Sequence, residues 1–210
     1  MFTEIDKVLY PNKCEVIQTT SHDFIYPIFK NGSSSLYREA TEQNWKILIN
    51  NQIKKCEEIT VFIREPHKRF ITGMNTYVEN CLQKDLDKNT ILFFISNYLF
   101  LDRHYMPQMF WLVNLVRYTK TDVFLNFKDI SDIKNYTNFT KNVSNNHKNY
   151  IKNEIKNLEF YLEIDNFLYS HINQKISWIE LIKNFKKDYN LAYKHLFQHA
   201  ENLFNVLPKT

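Results

Sequence analysis

Four short apolar runs set the limits on what this chain can fold into: FIYPIF (24–29), WKILI (45–49), ITVFI (59–63) and DVFLNF (122–127). Each has the length of a strand and is too short for a core helix. ITVFI is β-branched, continuous and bounded by charges, as a strand buried on both faces would be. WKILI is the weakest of the set. Helical stretches lie between them, at 34–44, 68–83, 89–101 and 106–118, the last opened by Pro107 near its first turn, where a missing N–H costs nothing. Strands separated by helices predict an α/β fold with a central parallel sheet flanked by helices on both faces.

After Phe127 the pattern changes. Residues 128–157 are polar and rich in Asn and Lys, and are expected to include a loop over the edge of the sheet. Residues 158–206 predict helices with aromatic stripes that serve core packing. The expectation is one domain over 1–210: a sheet core at about 24–127 and a mostly helical part at 128–210.

Composition narrows the class. With 44% hydrophobic and 16% aromatic residues the chain is globular rather than disordered. A formal net charge of +4 suits an anionic ligand but falls short of a nucleic-acid signature, so no nucleic-acid partner is expected. Cys14, Cys56 and Cys81 are odd in number and widely spaced, which reads as reduced thiols in a cytoplasmic protein and not as a disulfide or zinc framework. The N-terminus has early acidic residues and no signal-peptide pattern. The longest apolar run, ILFFISNYLFL (91–101), is too short to span a bilayer and reads as a buried helix, so no membrane partner is expected. The histidines show no metal-ligand spacing, and no metal is expected.

The chain has only two glycines, and one stands in YPIFKNGSSSL (26–36). A strand ending at Phe29, then Lys30-Asn31-Gly32-Ser33-Ser34-Ser35, then a helix, puts a turn and a helix N-terminus at the carboxyl edge of a parallel sheet. Such a turn presents unpaired N–H groups and the positive end of the helix dipole, a ready anion site. Gly32 would let the backbone approach closely, the hydroxyls would add donors, and Lys30 a mobile cation. It is not a Walker A loop, because it has one glycine and its lysine precedes it. Taken alone, the stretch is equally a serine-rich helix cap or a phosphate loop. A second element follows in ITVFIREPHKRFITGM (59–74): a buried strand, Arg64 at its end, and a Pro-broken turn carrying Arg69 and Thr72 into a helix. Arg64 sits where it would clamp a second phosphate or, as a lone arginine more often does, pair with Glu65.

Together these stretches resemble the sulfotransferases that use 3′-phosphoadenosine 5′-phosphosulfate (PAPS), most closely the carbohydrate-type families. Their first motif, typically P-K-x-[AG]-[ST]-[ST]-[ST], corresponds to Pro27, Lys30, Gly32, Ser33, Ser34 and Ser35. Their second, typically [VI]-x-R-[DE]-P-x-x-R-[FL]-x-S, corresponds to VFIREPHKRFIT, with Arg64 and Thr72 in the 3′-phosphate positions and Thr replacing the usual Ser. DRHYMPQ (102–108) is similar to the family's D-x-H-W-x-P-Q, with Tyr105 for Trp. DVFLNFKDISD (122–132) resembles the strand and acidic turn that follow, and NVS (142–144) and YLEIDNFLY (161–169) are weaker echoes.

The resemblance implies a three-layer, P-loop-like fold and transfer of a sulfuryl group from PAPS to a hydroxyl, or an amine, of a carbohydrate or small-molecule acceptor. The nucleotide would be held by Lys30, Asn31, Gly32, Ser33, Ser34, Ser35, Arg64 and Thr72, with Lys30 meeting the charge that develops on the leaving phosphate. The general base is less defined. The family often takes it from the segment between the phosphate motifs, which here (36–58) has Glu39, Glu42, Glu57 and Glu58 but no histidine. His104, with Asp102 close in sequence to orient it, is the leading candidate, although capping its helix or touching the nucleotide would suit it as well. His67 is a second candidate, and His22 has no motif behind it. Two other functions compete: a nucleotide-dependent phosphotransferase with an atypical phosphate loop, for which Asp129 is the nearest Mg²⁺ ligand, and a non-catalytic binding module built on the basic, aromatic C-terminal half. The acceptor and the oligomeric state are not written in these residues.

Overall fold

The computed structural model describes residues 14–81, 104–120, 122–138, 159–191 and 193–194. The run at 91–101, Asp102 and the tract 139–157 therefore lie outside the described residues. Six strands form one mixed sheet: β1 (Glu15–Gln18), β2 (Phe24–Tyr26), β3 (Lys46–Ile49), β4 (Glu58–Ile63), β5 (Phe124–Asp129) and β6 (Lys175–Ser177), in the order β3-β1-β2-β4-β5-β6. The centre is parallel: β2 pairs β4 through Ile25↔Thr60 and Tyr26↔Val61, and β4 pairs β5 from Glu58↔Phe124 to Ile63↔Asp129. The margins are antiparallel, with β1 between β3 and β2, and β6 against β5.

The sheet residues alternate between two covers, as the pleat requires. Val16, Tyr26, Leu48, Ile59, Val61 and Ile63 face one core, filled by helices α3 (Gln108–Val116), α4 (Glu159–Tyr169) and α5 (Trp178–Asp188) through Met109, Phe110, Ile164, Leu168, Leu181 and Phe185. Ile17, Ile25 and Phe62 face the other, covered by α1 (Ser33–Glu42) and the 3₁₀ turn Ile130–Asn135. Helix α1 turns Ser33, Leu36 and Ala40 inward, an i, i+3, i+7 stripe. Helix α5 opens on Ser177, whose hydroxyl accepts the Glu180 amide at 3.2 Å, and ends on Lys186 and Lys187 against the dipole.

The four expected strands and the helices expected at 34–44, 68–83 and 106–118 are present with ends moved by a few residues, while the helix expected at 89–101 lies outside the described residues. Helix α2 (Pro66–Cys81) begins two residues earlier than expected, because Pro66 suits a first helical turn and the Glu65 carboxylate accepts the amides of His67 and Lys68 at 3.0 and 2.7 Å. The sheet is parallel only at its centre. Strands β1 and β6 are the ones that sequence pattern did not reveal; four and three residues long, they carry too few side chains to show a period. The polar tract after β5 begins as the 3₁₀ turn, whose Ile130 and Ile133 cover the sheet rather than loop over its edge. Cys14 and Cys56 are free and buried, and no described helix is long and apolar enough to cross a membrane.

The second glycine marks the tightest packing. Gly73 of α2 lies against the backbone of His104: a Cβ there would come within 2.0 Å of the His104 carbonyl oxygen and 2.7 Å of its carbon. Backbone cannot yield as a side chain can, so Gly73→Ala is expected to destabilise the fold by about 2–3 kcal/mol. Urea unfolding followed by circular dichroism measures this, and an unchanged midpoint would contradict the packing.

Candidate functional site

Strand β2 stops at Tyr26 because Pro27 has no N–H to continue the ladder. The chain then turns tightly. Lys30 and Gly32 both have left-handed backbones, with φ of 69° and 74°, and the Asn31 amide donates to the Ile28 carbonyl at 3.0 Å. Gly32 leads into α1, and its conformation, more than close approach to a ligand, explains the glycine: a Cβ would be strained and 2.4 Å from Ile133 Cδ1. Lys30 has no such exemption, and its left-handed backbone costs on the order of 1–2 kcal/mol.

What holds the turn is buried. Arg69 of α2 is fully buried, and its guanidinium donates from Nε to Asn31 Oδ1 (3.2 Å), from Nη2 to the Phe29 carbonyl (3.2 Å) and from Nη1 to the Met106 carbonyl (2.6 Å). Asn31 is fully buried too, and its Nδ2 donates to the Phe62 carbonyl at 2.8 Å and to Gln108 Oε1. Gln108, at the start of α3, accepts the Arg64 amide at 2.9 Å and donates Nε2 to the Arg64 carbonyl at 3.0 Å and to Asp165 Oδ2 at 3.2 Å. Asp165 of α4 also accepts the amides of Gln108 and Met109 on Oδ1, at 2.6 and 3.4 Å. One polar network thus joins the turn after β2, the end of β4 and three helices. Burial pushes the Asp165 carboxyl up to about 6, although the Arg69 charge and these hydrogen bonds oppose the shift.

The side chains expected to bind phosphate meet above this network, at the carboxyl ends of β2 and β4. Arg64 Nη2 donates to Thr72 Oγ1 at 3.1 Å, and Nη1 reaches the Lys30 carbonyl at 3.5 Å. Lys30 Nζ donates to Thr76 Oγ1 at 3.2 Å, one helical turn beyond Thr72, and lies 5.4 Å from the Phe29 ring centre. Glu65 spends its carboxylate on the first amides of α2, and the Arg64 guanidinium turns instead to hydroxyl and carbonyl oxygens. Burial, and then the neighbouring Arg69 charge, push Arg64 below its ordinary value. Ser33 is buried, Ser34 exposed and Ser35 between. The Asn31 side chain is committed to the frame.

Among the base candidates, His104 is 8% exposed and meets the Phe29 ring edge-on at 5.2 Å, with Tyr77 at 6.4 Å. The Phe29 ring thus lies near both His104 and the Lys30 ammonium, and the proposed partner Asp102 lies outside the described residues. His67 is half-buried in the first turn of α2, and His22 is exposed beside Gln18. Glu39 is buried, accepting the Asn138 amide and Gln43, while Glu42 is exposed beside Arg38. Glu57 and Glu58 are at the opposite end of β4 from Arg64, roughly 20 Å away at strand rise. Asp129 caps the 3₁₀ turn through the Ser131 amide at 2.8 Å and accepts the Tyr169 hydroxyl at 3.3 Å. Burial alone would raise its carboxyl, yet those bonds and Lys68 hold it below the ordinary value.

Sequence reasoning quoted Arg69, Gln108 and Asp165 inside its motifs without assigning them this work. For Asp165 a signal was present: it falls on the buried stripe of a helix, beside Ile164 and Leu168. No family model, curated protein or solved structure matches the chain.

The Asp165 carboxyl gives a pH prediction. Its folded value lies above the 3.8 of a free carboxyl, so the folded state binds the extra proton and its contribution is full below about 4. As pH rises through 6 that contribution is lost. Wild-type stability relative to Asp165→Asn should therefore fall by up to about 3 kcal/mol between pH 4 and 7, then level off. Denaturant titrations across that range test it, and a pH-independent difference would refute the shift.

Proposed function

We propose that the chain is a PAPS-dependent sulfotransferase that moves a sulfuryl group to a hydroxyl, or an amine, of a carbohydrate or small-molecule acceptor in the cytoplasm. The observation that supports this most is the convergence of Lys30, the Gly32–Ser35 turn, Arg64 and Thr72 at the carboxyl ends of neighbouring parallel strands. In open α/β sheets that edge is where nucleotides bind. The residues suit a ligand with two anionic ends. The start of α1 offers backbone amides and hydroxyls to one phosphate. Arg64, close to the like charge of Arg69 and hydrogen-bonded to neutral oxygens, suits the other. A P-loop-like layering of the sheet belongs to the same proposal.

When bound, PAPS supplies the sulfuryl group and a phosphate leaving group. Lys30 then has the electrostatic task, placing an ammonium where negative charge grows as the bond from sulfur to the bridging oxygen breaks. The α1 turn would hold that phosphate, and positioning would carry much of the rate. Arg64 and Thr72 select ligands with a 3′-phosphate. His104, packed against Phe29 and Tyr77, takes the acceptor proton.

Calorimetric titration with adenosine 3′,5′-bisphosphate, beside AMP and ADP, tests the reading. Micromolar binding of the bisphosphate, at least tenfold tighter than either control and lost in Arg64→Ala, is expected. No binding, or equal binding of ADP, would overturn it. Lys30→Ala should keep bisphosphate affinity within about threefold while transfer from PAPS to a productive acceptor falls about a hundredfold or more. Rates and affinity falling together would instead make Lys30 a binding residue.

A further inference from the structure

Strand β4 runs on past its partner. Its pairing with β2 ends at Tyr26↔Val61, yet the strand continues through Phe62 to Ile63, with Arg64 directly after it. In-plane backbone groups of alternate residues point to the same side of a strand, so those of Phe62 and Arg64 point the way Thr60 points. Side chains answer them where backbone has run out. The Phe62 carbonyl takes Asn31 Nδ2, and both the amide and the carbonyl of Arg64 are paired by the Gln108 side chain.

We infer that Gln108, held in one orientation by Asp165, is a positioning residue that stands in for a strand and fixes the distance between Arg64 and the Lys30 turn. This rests on the sulfotransferase reading, because it takes the ligand to be a nucleotide with a phosphate at each end. Gln108 is fully buried and uses every bonding position of its amide: Oε1 accepts from Arg64 and Asn31, and Nε2 donates to Arg64 and Asp165. Asp165 decides which way round that amide lies. A reversed amide would set Oε1 against the carboxylate and the Arg64 carbonyl, and Nε2 against the Arg64 N–H. The same Oε1 that holds Arg64 also holds Asn31, the middle residue of the turn. Gln108 is therefore one bridge between the two halves of the anion site. A ligand held at one end does not sense their spacing, whereas a ligand held at both ends does.

Gln108→Met keeps the length and shape of the side chain and removes its hydrogen bonds. Two measurements on that variant are needed: hydrogen exchange of the Arg64 amide, and calorimetric affinities for adenosine 3′,5′-bisphosphate and AMP. Arg64 amide protection should fall about tenfold or more while the Ile59–Val61 amides keep theirs. Bisphosphate affinity should fall about tenfold, with AMP affinity changed less than about threefold. Asp165→Asn, which turns the acceptor facing Nε2 into a donor, should repeat the pattern at pH 7 and carries the test if Gln108→Met does not fold. Unchanged protection at Arg64, or equal weakening of both ligands, would overturn the inference and make Gln108 an ordinary core residue. A wild type that prefers the bisphosphate beside a variant that prefers it as strongly sinks this inference alone. A wild type that binds no bisphosphate removes the sulfotransferase reading and this inference with it.

Discussion

A guanidinium wholly removed from water is tolerable only when its N–H groups are answered, and at Arg69 the answers come from segments far apart in the chain. Phe29 and Asn31 belong to the turn after β2, and Met106 to the approach to α3. The charge can be buried only with both seated. Misplacing either would leave donors of a cation unpaired, a cost of several kcal/mol that the fold avoids by making turn, helix α2 and the 104–108 segment one unit. Asp165 balances the charge at one remove, through Gln108 and Asn31. That arrangement keeps a carboxylate and a guanidinium in the same interior while each keeps several hydrogen bonds, the condition under which buried polar networks specify a structure.

The sheet explains why the candidate site lies at this edge. Strands β2, β4 and β5 run the same way, so their carboxyl ends deliver Pro27, Arg64 and Asp129 to one margin, with helix starts close behind two of them. β1 and β6 run against these three, and β3, reversed twice through β1, runs with them at the margin of the sheet. The two-sided cover matters as well. Phe62 points into the α1 side and Ile63 into the other, so the end of β4 is clamped from both faces just before Arg64 leaves it. A half-buried arginine on such a base has few conformations left, and less to lose on meeting an anion.

Much of this was readable in residues. Continuous β-branched ITVFI announced the central strand, and the turn with its serines announced a helix start at a sheet edge. Strands β1 and β6 were not readable, since short antiparallel strands are stabilised by neighbours and not by a pattern of their own. Nor was the division of labour inside the motifs. REPHKRF holds two arginines five residues apart, and nothing in their order says that Arg64 is half-buried at the site while Arg69 is sealed beneath it. That difference follows from helix geometry: Arg64 precedes α2, and Arg69 sits one turn inside it on the face turned to the turn after β2. The structural work of the Asn31 side chain was unreadable for a related reason. An Asn before Gly reads as turn chemistry, but its amide here completes the ladder of a neighbouring strand.

The scarcity of glycine is itself a structural fact, because left-handed backbone has to be supplied by other residues. Besides Gly32, the left-handed positions among the described residues are His22, Lys30, Asn44, Asn50 and Asn173. Asparagine is the residue that tolerates that region best after glycine, so part of the chain's Asn richness substitutes for missing glycines at turns. Asn44 ends the approach to β3 and Asn173 sits before β6, where such turns are needed. Lys30 does not fit that pattern. A lysine gains nothing locally from φ of 69°, and an asparagine or glycine at 30 would relieve the strain at the cost of the ammonium. Its carbonyl lies 3.5 Å from Arg64 Nη1, and its Nζ reaches Thr76 across the start of the site. Strain retained at one residue of a turn, with a buried guanidinium holding the residues on either side, is what a position kept for its side chain looks like.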